Sequence, residues 1–338
     1  MLRLLPAILL LLALPSFAQA DQPRVVTTIK PLQQIATAVL ADVAQVDVLL
    51  PPGASPHAYA MRPSDRRMLI AADRIYWVGP DLELFLQSLM AEEGSAKALL
   101  SIDGLQTRSF PQQRHSEQSH ASEEGHAGHD HDDHHDHAEH SGHNDHADHA
   151  DHADHADHAD HDHGPGSVDA HIWLSPDNAR VIARFMAADL SALFPEYAEQ
   201  IQANQAAFDA RIAALDAELT ERFAPLQNKG YFVFHDAYGY FEDHYGLQAR
   251  GVFSVSHEVQ PGARQINLLR EQLRSSGRVC VFTEPQFTPR LVQSLTRDLP
   301  VEQGELDPLG VDLAVDAEGY AALLQQLADN LAGCLEQL

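Results

Sequence analysis

Short runs of β-branched and aromatic residues alternate with longer amphipathic stretches along most of the chain. Residues 25–29, 45–50 and 74–78 read as strands. Residues 31–40, 64–71 and 82–90 read as the intervening helices, with Ser64 a candidate N-cap. The rhythm resumes after residue 168. Ser175 then precedes Pro176 as an N-cap precedes a first helical position, and Asp177 follows in the first turn. YFVFH at 231–235, residues 249–255 and VCVFT at 279–283 read as further strands, with helices over 261–274 and about 318–334. Such alternation predicts an α/β fold of two lobes, each a small, mainly parallel sheet flanked by helices.

Ile201, Phe208, Ile212, Leu215, Leu219 and Phe223 recur at three-, four- and seven-residue steps. That places them on one face of a helix running from Pro195 to about Leu226, roughly 45 Å long. The expected organisation is an N-terminal lobe over 21–194, a connecting helix over 195–227 and a C-terminal lobe over 228–338.

The pattern breaks between Pro111 and Val168. Seventeen of the 22 histidines lie between His115 and His163, with no apolar residue larger than Ala among them. Nothing there can be buried to offset the entropy of ordering, and the repeated DHA matches neither helix nor strand period. A disordered His/Asp-rich insertion of metal-binding composition is expected over 111–168.

The first twenty residues, MLRLLPAILLLLALPSFAQA, combine an early Arg3, an apolar run and a small-x-small ending. They read as a signal peptide for export. In an oxidising compartment Cys280 and Cys334 are expected to pair. The formal net charge of −27 repels nucleic acid and draws cations. About half of it comes from the insertion, where fifteen carboxylates face only Arg114.

Five histidines remain outside the insertion. His57 follows a strand in a Pro/Gly-rich loop, His171 precedes a helix start, and His235 ends an apolar strand. Strand ends of this kind line the ligand crevice of α/β sheets. Three neutral imidazoles plus one carboxylate complete a zinc tetrahedron. Asp307 in GELDPLG is the first carboxylate candidate and Glu284 in FTEPQF the second, and spacing does not decide between them. His244 is a weaker candidate, His257 reads as a surface residue, and Asp236 and Asp243 as solvated groups or supports of the ligands.

The segments SPHAYAMRPSD, DAHIWLSPDN, FHDAYGYF, VQPGARQI, VFTEPQF and ELDPLG together resemble the zinc-binding solute receptors of bacterial metal ABC importers. The resemblance implies two lobes joined by one long rigid helix, with metal held between them. It places the ligands at His57, His171 and His235, and Asp307 as the carboxylate near the metal. A glutamate that precedes the first histidine in some of these receptors is replaced here by Pro56. The Cys280–Cys334 pair also matches a disulfide of that family. The resemblance further implies a non-catalytic periplasmic receptor that captures Zn²⁺ for an ABC permease with its cytoplasmic ATPase. It would act as a monomer, with a periplasmic zinc chaperone as a further partner.

The insertion is expected to be an accessory, lower-affinity zinc collector. Two other readings stay open: a manganese or iron receptor of the same family, and a metal buffer acting through the insertion alone. A secreted zinc hydrolase is disfavoured, because HExxH, HxxEH and GxSxG are all missing from the sequence.

Overall fold

The computed structural model describes residues 23–110, 166–254, 263–286 and 290–338. The expected signal peptide, nearly all of the His-rich insertion and His257 lie outside the described residues. Two four-stranded parallel sheets form the frame. The first contains β1 (Val25–Thr27), β2 (Val46–Val48), β3 (Arg74–Trp77) and β4 (Ala96–Ala98), in the order β2-β1-β3-β4. The second contains β5 (Tyr231–His235), β6 (Gly251–Ser254), β7 (Val279–Thr283) and β8 (Val301–Glu305), in the order β6-β5-β7-β8. In both, the chain runs outward to one side of the first strand and then returns to its other side. Crevices open at the carboxyl ends of strands where the order switches in this way.

Nine α-helices accompany the described strands: α1 (Lys30–Val39), α2 (Pro63–Ile70), α3 (Gln87–Glu92), α4 (Pro176–Leu193), α5 (Ala198–Phe223), α6 (Gly239–Tyr245), α7 (Ala263–Ser275), α8 (Arg290–Thr296) and α9 (Gly319–Leu335). Ser64 does not cap α2. Pro63 takes the first helical position with its fixed φ, Arg62 becomes the N-cap, and Asp65 accepts a hydrogen bond from the Arg62 amide at 2.8 Å. Ser175 does cap α4, accepting from Asn178 N at 3.2 Å. The helix expected over 82–90 splits into a 3₁₀ turn at Leu84–Leu86 followed by α3.

α5 has 26 residues, about 39 Å of helix. Its buried residues are Ile201, Phe208, Ile212, Leu215, Leu219 and Phe223, the six that the periodicity picks out. The 3₁₀ turns Pro195–Tyr197 and Ala224–Leu226 extend it at each end. It packs on α1, α4 and α9. Arg180 grips Asp209 through two hydrogen bonds of 2.9 and 3.0 Å, tying α4 to α5, and Arg211 meets Glu318 beside α9 at 2.9 Å. These partly exposed pairs fix orientation more than they add stability.

α9 is a second tie between the lobes. It lies against β7 and β8 of the C-terminal sheet and also packs on α1 of the N-terminal lobe. Cys280 in β7 is bonded to Cys334 in α9 across 54 residues of sequence. Closing so long a loop restricts the unfolded chain by about 4 kcal/mol on the entropy model. Replacing both cysteines with serine is therefore expected to lower unfolding free energy by about 4 kcal/mol in a urea titration, with the fold retained.

Candidate metal centre

Three histidines converge between the two sheets. His235 is the last residue of β5, a strand buried along its whole length. His171 lies just before α4, held by a 3₁₀ turn over Ile172–Leu174 and by the Ser175 cap. His57 comes from the loop after β2, which turns at Gly53 with φ of 78°. One nitrogen from each ring lies within 4.8 Å of the other two. His171 Nε2 and His235 Nε2 are 3.4 Å apart. Both of these rings are buried, and His57 is half-buried.

A carboxylate holds the far nitrogen of each buried ring. Asp169 Oδ1 lies 2.8 Å from His171 Nδ1 and also accepts from the His171 amide at 3.0 Å. Glu284 Oε1 lies 2.6 Å from His235 Nδ1. With Nδ1 engaged in this way, each ring directs Nε2 at the common centre. Carboxylate–histidine pairs of this type fix ring orientation at metal sites and raise ligand basicity.

The two carboxylates differ electrostatically. Burial opposes ionisation of Asp169, but hydrogen bonds from His171 and Arg108 more than offset it and hold its carboxyl below the usual range. Burial pushes the Glu284 carboxyl well above its usual value, against hydrogen bonds from Tyr238 and His235, and Asp307 adds to the rise. The lowering at Asp169 comes first from His171 and then from Arg108, whose Nη1 is 2.7 Å from Asp169 Oδ2.

The cavity is lined by Pro56, His57, His171, Trp173, His235, Glu284, Gln286, Pro308 and Leu309. It leaves about 10 Å³ for the centre of a water-sized sphere, room for one ion or one water and nothing larger. Borderline metals such as zinc favour a centre of imidazole nitrogens.

Asp307 is not among the three convergent residues. Its Oδ1 accepts from Gln286 Nε2 at 2.9 Å and Leu309 N at 3.0 Å, and its Oδ2 accepts from Val311 N at 2.5 Å. Glu284, the second carboxylate candidate, sits behind His235. His244 lies away from the centre in α6, its Nε2 2.7 Å from Asp216 in α5. Asp243, two-thirds exposed, pairs with Arg108 at 2.9 Å, and Asp236 is half-buried.

Sequence reasoning missed Asp169 and Arg108. Asp169 could have been found from its place two residues before His171. Arg108 gives no local signal, because its partners at 169 and 243 are distant in sequence. Its guanidinium lies against Gly239, where a Cβ would come within 1.5 Å of Nη1. Tyr240 OH donates to Asp169 O at 2.8 Å and accepts from Arg108 N at 3.1 Å, completing the bridge between lobes.

Two parallel-sheet lobes joined by a long helix, with a small cavity between them, form the architecture of a solute-binding protein. Residues 25–334 match the family described as zinc-uptake complex component A, periplasmic. The high-affinity zinc uptake system protein ZnuA of Yersinia pestis is 39% identical over 314 residues, covering 92% of this chain and 91% of that protein. Its counterpart in Haemophilus influenzae is 41% identical over 325 residues, 96% of each chain. A crystal structure of ZnuA shares the fold at a TM-score of 0.66 and 23% identity, covering 92% of this chain and 99% of that one. The chain belongs to this family: it is a periplasmic zinc-binding component of a zinc-uptake system. No described helix is long and apolar enough to cross a membrane.

Asp169 is fully buried, and removing Arg108 would leave its charge without a cation. Breaking a buried pair in this way costs about 3 kcal/mol or more. Arg108→Ala is expected to lower unfolding free energy by that amount, read from urea denaturation of the metal-free protein.

Proposed function

We propose that His57, His171 and His235 together bind one Zn²⁺ between the lobes, and that the protein delivers this ion to the permease of an ATP-driven importer. The observation that carries the reading is the convergence of three imidazoles, two of them oriented by buried carboxylates, on a cavity of single-ion size. A nitrogen-rich centre suits zinc, whereas manganese prefers six oxygen ligands. All three residues come from one chain, so the monomer is the binding unit.

The His-rich insertion acts beside this centre as a weaker, multivalent collector. Its support is compositional: seventeen imidazoles among fifteen carboxylates raise the local zinc concentration. A periplasmic zinc chaperone is a further partner of the receptor. The signal peptide serves export alone, the two lobes carry the ligands, and the connecting helix over 195–227 holds them in register.

A zinc titration against a competing chelator tests the assignment, using protein lacking residues 115–163. One tight site per chain is expected, weakened at least about 100-fold by His57→Ala or His171→Ala. Loss of all tight binding on deleting the insertion would transfer the function to the insertion. The same titration at falling pH should show affinity dropping below about pH 6, because imidazole binds metal only when neutral. Mn²⁺ at equal concentration should displace little of the bound zinc, and ready displacement would favour the manganese or iron reading.

A further inference from the structure

Three histidines leave a tetrahedral ion one ligand short. We infer that Gln286 supplies the fourth through its side-chain oxygen, with Asp307 acting as the residue that sets the amide's orientation. This role rests on the three-histidine zinc site.

The cavity wall offers few alternatives. Pro56 and Leu309 have no side-chain donor atom. The Pro308 carbonyl accepts from Trp173 Nε1 at 2.8 Å. Glu284 Oε1 binds Nδ1 of His235, the edge of the ring turned away from Nε2, and although Glu284 Oε2 is also buried without a partner, the carboxylate is tethered to that far edge. The oxygens of Asp307 are engaged by Gln286 Nε2 and the amides of Leu309 and Val311. Gln286 remains. It lines the same cavity as the three histidines, and its Oε1 is buried and accepts no hydrogen bond.

The orientation of that amide is chemically determined. Asp307 Oδ1 accepts from Gln286 Nε2 and from the Leu309 amide, so the NH₂ of Gln286 is turned towards Asp307. The carbonyl oxygen then faces the other way, as a ligand atom rather than a donor that a cation would repel. The narrowness of the cavity, about 10 Å³, favours direct ligation over a bridging water. Amide oxygen is a weaker donor than carboxylate and adds no charge, which leaves the site able to release its ion.

The test uses the full chain with half an equivalent of Co²⁺, so that the tight site fills before the insertion. Visible absorption then reports coordination, and added azide reports an exchangeable position. For the wild type, a tetrahedral spectrum indifferent to azide is expected. Gln286→Ala and Gln286→Met, the latter matching the side chain's length, should shift the spectrum and admit azide. Both should weaken zinc binding roughly 10- to 100-fold, comparable to losing a metal-orienting partner.

Asp307→Asn frees the amide to flip and should fall between wild type and Gln286→Ala. Circular dichroism melts confirm that each variant is folded, and an unfolded alanine variant leaves the methionine one to decide. Spectra and zinc affinity unchanged in a folded Gln286 variant would overturn the inference. The His171→Ala control separates the two readings. If it abolishes the cobalt spectrum while the Gln286 variants do not alter it, only the role of Gln286 fails. If His171→Ala leaves the spectrum intact, the histidine site itself is wrong.

Discussion

Two imidazole nitrogens from opposite lobes stand 3.4 Å apart, and most of the molecule is arranged around that approach. Hydrogen bonds from His171 and Arg108 hold the Asp169 carboxyl below the usual range, and its Oδ1 engages His171 Nδ1, which leaves Nε2 facing inward. His235 is aligned from behind by Glu284 and His57 closes the third side. Electron-rich nitrogens brought this close repel one another unless a proton or a cation lies between them.

Holding the rings at that separation requires that the lobes neither drift nor twist. α5 supplies a stiff spine, with one apolar face buried over its full length. α9 crosses back from the C-terminal sheet to α1. Polar straps beside the site complete the alignment: Trp173 Nε1 to Pro308 O, Tyr320 OH to Trp173 O at 2.7 Å, and Lys30 Nζ to Val311 O and Leu313 O at 2.7 and 2.6 Å. Most of these contacts satisfy backbone carbonyls of the 306–314 segment. A shift of the lobes would have to break several at once.

The fold was largely legible in the sequence because burial imposes periodicity. β5 and β7 are buried on both faces and read as unbroken apolar runs, and α5 repeats its apolar positions at helical steps. β4 and α6 were not foreseen: AKA is too short to show an alternation, and GYFEDHY mixes aromatics with charges inside seven residues. The three histidines could be chosen from their places at strand ends and helix starts. Among the carboxylates the sequence put Asp307 ahead of Glu284, since both follow strands and spacing does not separate them; the packing turns Glu284, not Asp307, to a ring. Arg108 was invisible for the same reason. Its role depends on side chains that meet only after the lobes have come together.

Zinc-edge anomalous diffraction from crystals of the zinc-loaded protein tests most directly whether the three histidines form the binding centre. One dominant peak is expected between the lobes, about 2.1 Å from a nitrogen of each of His57, His171 and His235. A peak elsewhere, or density confined to the His-rich insertion with the three rings unliganded, would contradict that assignment.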